Sequence, residues 1–139
     1  MKVNFKIIEN YALEFDGCHI DLHNNFDFVG FEYFVSNRKL KLSWAKRKTN
    51  LLDENEFNKI VLVHKEITFF IITHTSQDEK LIFEDDKCLS EITFFPSTER
   101  DVNNHFLIQE KPNNGDDIIY SFENDQRIRV HCEEIELLF

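Results

Sequence analysis

The amino-acid sequence predicts a single all-β domain spanning residues 1–139, an antiparallel β-sandwich or partly open barrel of about ten short strands with at most a short helix. Short apolar runs rich in Val, Ile and Phe recur at close spacing with turn signals between them. No long segment has the spacing of an amphipathic helix. Because no linker, repeat or low-complexity tract divides the chain, we expect one domain, and of the two architectures we favour the sandwich.

The most strongly β-forming stretch is residues 59–75, KIVLVHKEITFFIITHT. Within it, residues 67–72 show no alternation between apolar and polar side chains, so both faces need to be covered. This stretch is therefore predicted to be a central strand. The alternative to one long strand is a turn at residues 64–66 that pairs the two halves with each other.

The chain begins with a predicted strand over residues 3–9, which a hairpin follows at Asp16-Gly17. A two-residue Asp-Gly loop fixes the register, so that Phe15 faces Cys18 and Leu13 faces Ile20. We expect one face to be buried and the other mostly exposed, the former carrying Leu13, Phe15, Ile20 and Leu22 and the latter Glu14, His19 and Asp21.

A second hairpin is predicted around Asn37-Arg38, with either a two-residue loop or a longer turn. The two-residue loop pairs Val35 with Leu40, Tyr33 with Leu42, and Phe31 with Trp44. The reverse face then carries Glu32, Phe34, Lys39, Lys41 and Ser43. Six of the 16 basic residues lie between Ser36 and Leu52, a stretch without any acidic residue, although the whole chain has 26 acidic residues.

Shorter elements complete the chain. Predicted strands span residues 81–83, 91–95 and 105–109, with a turn or brief helix at 85–90 and a turn at 112–115. A third hairpin, with a loop at 124–126, pairs Ile118, Tyr120 and Phe122 with Ile128, Val130 and Cys132. After it the apolar positions change phase near Glu133-Glu134, which indicates a bulge or bend before a terminal strand docked into the core.

Composition bounds the function. The formal net charge of −10 argues against general binding to nucleic acid or anionic lipid. The three cysteines are odd in number and lack metal or redox spacing, which is typical of free thiols in a reducing compartment. The sequence shows no secretory leader and no apolar run of the roughly 20 residues that a membrane span needs. We therefore expect a cytoplasmic protein without membrane contact.

One cluster resembles a metal site: His19, Asp21 and His23, which would share one face of a strand. Neighbours on that face are about 7 Å apart and the two histidines about 13 Å, so at most a pair can reach one ion. We predict no bound metal and no cofactor. The chain also lacks a nucleophile elbow, a P-loop and a dinucleotide fingerprint, so no catalytic residue is predicted.

The leading hypothesis is a non-enzymatic binding protein with a protein partner, one version being an immunity-type protein that neutralises a basic toxin. The second is a sandwich or barrel that encloses a small apolar ligand, and the third a metal-dependent enzyme using His19 and Asp21. Two surfaces compete as the partner site. The basic one, with Phe34, Lys39 and Lys41, suits an acidic partner, whereas the acidic one, with Asp116 and Asp117, suits a basic partner.

Overall fold

The computed structural model describes residues 1–48, 57–74, 83–102 and 106–139. Their strands are β1 (Lys2–Val3), β2 (Lys6–Ile8), β3 (Ala12–Phe15), β4 (Cys18–Asp21), β5 (Phe26–Phe34), β6 (Lys39–Lys46), β7 (Lys59–Lys65), β8 (Phe69–Thr73), β9 (Leu89–Pro96), β10 (Asp116–Phe122), β11 (Arg127–His131) and β12 (Glu134–Leu138). The helices are α1 (Leu22–Asn25) and α2 (Phe83–Lys87), and 3₁₀ turns occur at Val35–Asn37 and Ser97–Glu99. Neither α1 nor α2 has the length or apolar character needed to cross a membrane.

The strands form three sheets. A five-stranded sheet has the order β1-β12-β7-β6-β5, a four-stranded sheet the order β8-β11-β10-β9, and a three-stranded sheet the order β2-β3-β4. All pairs are antiparallel except β1 with β12, which is parallel. The sheets do not close into a barrel, so the predicted all-β sandwich is confirmed.

The core lies between the five-stranded and four-stranded sheets. Trp44 of β6 packs on Tyr120 of β10 with ring centroids 5.9 Å apart, and both side chains are fully buried. The three-stranded sheet adds Ile7, Leu13 and Ile20 to the same apolar cluster. Apolar side chains from all three sheets therefore share one core.

The prediction of a central strand at residues 67–72 is wrong. The chain leaves the five-stranded sheet after β7 and enters the four-stranded sheet at β8, which lies at that sheet's edge. Glu66 adopts a positive φ of 55° at this crossing, and Thr68 N donates to His131 O. Ile71 is 44% exposed, so the run is not covered on both faces. The run does not alternate because Phe70 and Ile72 face the core opposite Val130 and Ile128, whereas Phe69 and Ile71 line a cavity on the outer face. β7 and β8 do not pair with each other.

The phase change near Glu133-Glu134 is confirmed, but its cause is another crossing between sheets. β11 belongs to the four-stranded sheet and β12 to the five-stranded sheet. Glu133 N donates to Lys65 O, which places this crossing beside the one at Glu66. In the final strand Leu137 is buried, whereas Phe139 is 49% exposed and stacks on Phe57 at 3.7 Å between centroids.

The first hairpin is paired as predicted, with Phe15 opposite Cys18 and Leu13 opposite Ile20. Leu13, Ile20 and Leu22 are buried and His19 is exposed, but Phe15, Glu14 and Asp21 are only half-buried. The predicted strand over residues 3–9 is divided into β1 and β2. It divides at Asn4, whose side chain bonds the backbone of Leu137 instead.

The other two hairpins have the predicted faces in a different register. In the second, Tyr33 pairs with Leu40 and Phe31 with Leu42, because the turn is longer and Arg38 takes a left-handed conformation with φ 48°. In the third, Tyr120 pairs with Ile128 and Ile118 with Val130, and Phe122 N donates to Gln126 O at 2.9 Å. Each shift is even, so inward side chains stay inward.

The remaining local predictions differ in outcome. β9 contains the predicted strand over residues 91–95 and ends at Pro96, and α2 begins at Phe83 rather than at residue 85. Residues 81, 82 and 105 lie outside the described part of the chain. Residues 106–109 are not a strand, because the backbone of Leu107 bonds the side chain of Thr93 rather than a neighbouring strand.

Candidate functional site

Asp116 and Asp117 are not the accessible acidic surface that the sequence predicted. Asp116 is 3% exposed and Asp117 is fully buried. Asp116 accepts hydrogen bonds from Gln109 Nε2 at 2.6 Å and from Asn113 N at 2.8 Å, which tie down the turn before β10. Neither carboxylate therefore offers the exposed charge that the predicted acidic partner surface requires.

Asp117 instead forms the centre of a charged cluster on the outer face of the four-stranded sheet. Arg100 donates through Nε and Nη2 to its two oxygens, each at 2.9 Å, and Arg129 Nε donates at 2.7 Å. His131 Nδ1 lies 2.9 Å from Oδ1, a geometry in which the imidazole donates. Arg100 also lies flat on Phe69, with its guanidinium carbon 3.8 Å from the ring centroid. Two guanidinium groups thus share one buried carboxylate.

The electrostatics of Asp117 reflect two opposed effects. Burial raises the pKa of Asp117, but the hydrogen bonds from Arg100, Arg129 and His131 lower it more, so the pKa lies below its ordinary value. The bond to Asp117 in turn raises the pKa of Arg100. The carboxylate is therefore ionised at neutral pH, and the cluster stays charged within the fold.

Arg129 has one group that the cluster does not satisfy. Its side chain is 6% exposed, Nε bonds Asp117, and Nη2 donates to Pro96 O at 2.9 Å. Nη1 is buried and has no hydrogen-bond partner among the described residues. Arg129 also lines a cavity of about 150 Å³. The other lining residues are Phe69, Ile71, Thr73, Glu91, Thr93, Arg100, Ile119, Ser121 and Arg127.

A second region of interest is the far end of the β5–β6 hairpin, where β5 is the edge of the five-stranded sheet. Tyr33 packs on Phe70 of β8 at 4.8 Å between centroids, so two sheet edges meet on this side of the sandwich. We call the exposed side chains here, with two neighbouring lysines, the open-edge surface. It consists of Val29, Phe31, Tyr33, Phe34, Val35, Lys39 and Lys41.

The predicted partner-binding residues of the basic hairpin lie together on this surface. Phe34 pairs opposite Lys39 and is 37% exposed. Lys41 Nζ is 5.2 Å from the centroid of the Phe34 ring, a cation–π contact. The shared reverse face of Phe34, Lys39 and Lys41 follows from the β alternation in the sequence.

Comparison of the chain with protein-family models, with curated proteins and with solved structures gives no match.

The structure does not keep His19, Asp21 and His23 on one strand face. Asp21 accepts hydrogen bonds from Asn24 N and Nδ2, both at 2.8 Å, and so caps α1. This begins a helical turn that carries His23 towards β9, where its Nδ1 lies 2.6 Å from Leu89 O. The residues of the predicted weak metal site therefore lie on different elements, with His19 exposed on β4 and His23 on α1.

His23 instead lies near two other residues that no spacing in the sequence brings together. One ligand atom from each of His23, Cys88 and Glu123 falls within 4.8 Å of the others. The group opens onto a cavity of about 920 Å³ that is also lined by Lys46, Arg47, Lys48 and Lys87. The lining also holds Asp27 and Asp85, and Arg47 is paired with Asp27 at 2.7 Å. His23 Nδ1 is already committed to Leu89 O, so the group does not offer a complete set of zinc ligands.

The sequence reasoning overlooked Arg129 and Arg100. A signal for Arg129 was present, because Arg127, Arg129 and His131 alternate with the apolar Ile128 and Val130 along one strand. That alternation places three basic groups on the outer face of the sheet. Arg100 lies in a polar segment without periodicity, and only the fold brings it to Asp117.

Proposed function

We propose that the protein is a non-enzymatic binding protein that recognises an acidic, extended segment of another protein through its open-edge surface. The observation that carries this proposal is the nine-residue strand β5, which has a strand partner on one side only within the described residues. A strand edge offers a row of backbone donors and acceptors that an extended chain can pair with. Affinity in such complexes comes from main-chain hydrogen bonds.

Exposed apolar side chains support the same surface. Val29 is 68% and Val35 76% exposed, and Phe31 is 44% exposed although it follows the inward register of Leu42. Phe31 lies on β5, the edge strand of its sheet, and β8 is the edge strand of the facing sheet. Several exposed large apolar side chains beside an unpaired edge are typical of an interaction site.

Charge selects the kind of partner. The stretch from Ser36 to Leu52 has six basic residues and no acidic one, within a chain of net charge −10. Lys39 and Lys41 lie on β6, one strand in from the free edge, with Lys41 opposite Glu32 of β5, so acidic side chains on an added strand gain attraction from the two lysines across the width of β5. The competing idea of a basic toxin loses its proposed contacts, since Asp116 and Asp117 are buried.

The test uses two synthetic ten-residue peptides of alternating Thr and Val that differ only in carrying Glu or Lys at three of the Thr positions. We expect the Glu peptide to bind, with amide shift changes and slowed hydrogen exchange in β5. Reversal of both Lys39 and Lys41 to Glu should weaken its binding about tenfold, because two electrostatic attractions that act across β5 become repulsions. The control is Lys111→Glu, an exposed residue outside this surface, which should leave binding unchanged.

Three results would overturn the proposal. One is the absence of any change in β5 with either peptide. Another is equal binding of the Glu and Lys peptides, which would remove the argument from charge. The third is dimerisation through β5 at micromolar concentration, measured by light scattering, since a second copy would then be the occupant of the edge.

A further inference from the structure

The cavity beside Arg129 lies on the outer face of the four-stranded sheet and is independent of the open-edge surface. We propose that it binds a small organic carboxylate, with the carboxylate against the guanidinium groups of Arg129 and Arg100 and a short apolar chain against Phe69, Ile71 and Ile119. Three features support this site: the unpartnered Nη1 of Arg129, the excess positive charge of the Arg100–Asp117–Arg129 cluster, and the size and lining of the cavity.

The first observation is an unsatisfied donor. Nη1 of Arg129 is buried and has no hydrogen-bond partner within the part of the chain that the structure describes. Leaving a buried charged donor without a partner is costly, so such groups in folded proteins usually meet a ligand, an ion or water. The edge of the guanidinium that carries Nε and Nη2 already faces Asp117 and Pro96. Nη1 is the third nitrogen of the guanidinium group and does not belong to that edge.

The second observation is charge. Arg100 and Arg129 both bond the single carboxylate of Asp117, so these three described residues carry one positive charge in excess, and Glu91 and Arg127, which also line the cavity, add one charge of each sign. Arg129 is 5% exposed and pairs with the fully buried Asp117, whereas the side chain of Arg100 is 35% exposed, so the excess positive charge is shared by one buried and one partly solvated guanidinium group. His131, the third donor to Asp117, adds further positive charge whenever it is protonated. A bound anion would compensate the charge.

The third observation is the cavity itself. Its volume of about 150 Å³ is well below the roughly 300 Å³ at which pockets for drug-sized ligands begin. The lining combines arginines with the hydroxyl-bearing Thr73 and Ser121 and with the apolar Phe69, Ile71 and Ile119. Guanidinium groups bind carboxylates with well-matched geometry. The apolar wall favours an anion with a short hydrocarbon part over inorganic phosphate.

The test titrates the full chain with sodium butyrate, with its neutral isostere butyramide and with sodium phosphate. Binding is measured by calorimetry, and the Nε–H signals of the arginines are followed by NMR. We expect butyrate to bind and to shift the Arg129 signal, and butyramide to bind about tenfold more weakly or not at all, because it lacks the charge-assisted hydrogen bonds. Phosphate should bind more weakly than butyrate.

Two variants make the assignment specific. Ser121→Leu fills the cavity from its floor and should abolish the butyrate signal, whereas Thr98→Leu, an exposed control, should not. The paired change Asp117→Asn with Arg129→Met removes both the buried carboxylate and the unpartnered donor, and should abolish binding in a chain that still melts cooperatively. It avoids leaving either charge buried alone.

The proposal is overturned if butyrate gives neither heat nor a shift at Arg129. It is also overturned if butyramide binds as well as butyrate, or if Ser121→Leu binds like the unmodified chain. Tighter binding of phosphate than of butyrate would replace the organic carboxylate by an inorganic oxyanion. None of these outcomes depends on β5. The carboxylate site can therefore be confirmed or rejected independently of the proposed protein partner.

Discussion

His64 is a fully buried histidine whose two ring nitrogens are both hydrogen-bonded. Nδ1 lies 3.2 Å from Leu40 O and Nε2 lies 2.8 Å from the Tyr120 hydroxyl. A neutral imidazole satisfies both, with Nδ1 donating to the carbonyl and Nε2 accepting from the phenol. Burial lowers the pKa of His64 to about 4 and raises the pKa of Tyr120 well above its ordinary value, so both groups stay neutral.

This pair predicts a pH-dependent stability. Between pH 6.5 and about 4 the unfolded chain binds a proton at His64 that the folded chain does not, so folding stability is complete above pH 6.5 and decreases towards pH 4. The loss attributable to His64 is about 3 kcal/mol. His64→Leu should be less stable at neutral pH but should lack this slope. Urea unfolding at several pH values measures it, and an imidazole titration midpoint near 6.5 by NMR would contradict it.

At the scale of the elements, the structure explains why two apolar runs of similar composition differ in importance. β7 is paired on both sides, by β6 and β12, and Leu62 within it is fully buried. β8 is paired only with β11 among the described strands, and Ile71 is 44% exposed. The stability contributed by each side chain therefore depends on its place in the sheets rather than on its β propensity.

We predict that Leu62→Ala lowers the free energy of unfolding by about 2–5 kcal/mol, through lost transfer energy and a new cavity. Ile71→Ala should cost about 1 kcal/mol or less, because much of its side chain already contacts water. The two variants remove similar apolar volume and serve as each other's control. Equal losses in urea unfolding would show that β8 is as central as its composition suggests.

The sequence predicted elements far better than their arrangement. Turn chemistry at Asp16-Gly17 predicted the first hairpin residue by residue, because a two-residue loop leaves one register. At Arg38 the longer turn shifts the register by two residues. The apolar–polar alternation of the sequence cannot reveal such a shift, because it leaves every side chain on the same face. The switch between sheets at Glu66 has no local signature, so the sequence permits both one long strand and a turn at residues 64–66 but does not predict a crossing to another sheet. Arg100 and Asp117 are brought together only by the tertiary structure, so no sequence pattern predicts their ion pair.

At the scale of the whole molecule, the two ends of the chain complete the same sheet. β12 lies between β1 and β7, and the pairing of β1 with β12 joins Lys2 to Glu134 and Val3 to Ile135. These contacts span almost the full length of the chain. Such non-local pairs require the chain to lose loop-closure entropy before the stabilising contacts form. We therefore expect folding in the millisecond to second range rather than in microseconds.

Asn4 holds the two ends together, which permits a direct test of their importance. Its Nδ2 donates to Leu137 O at 3.2 Å and its Oδ1 accepts from Leu137 N at 2.8 Å, so one side chain replaces a pair of ladder hydrogen bonds where β1 stops. Asn4→Ala should lower the free energy of unfolding by about 1–3 kcal/mol, since it leaves a backbone donor and acceptor of β12 without partners. Asn4→Asp keeps the acceptor and should lose about half as much, whereas the exposed Asn114→Ala should be neutral. Hydrogen exchange at the Leu137 amide locates the effect: it should accelerate in Asn4→Ala and stay slow in Asn4→Asp. Unchanged exchange in both would show that the ends hold without this side chain.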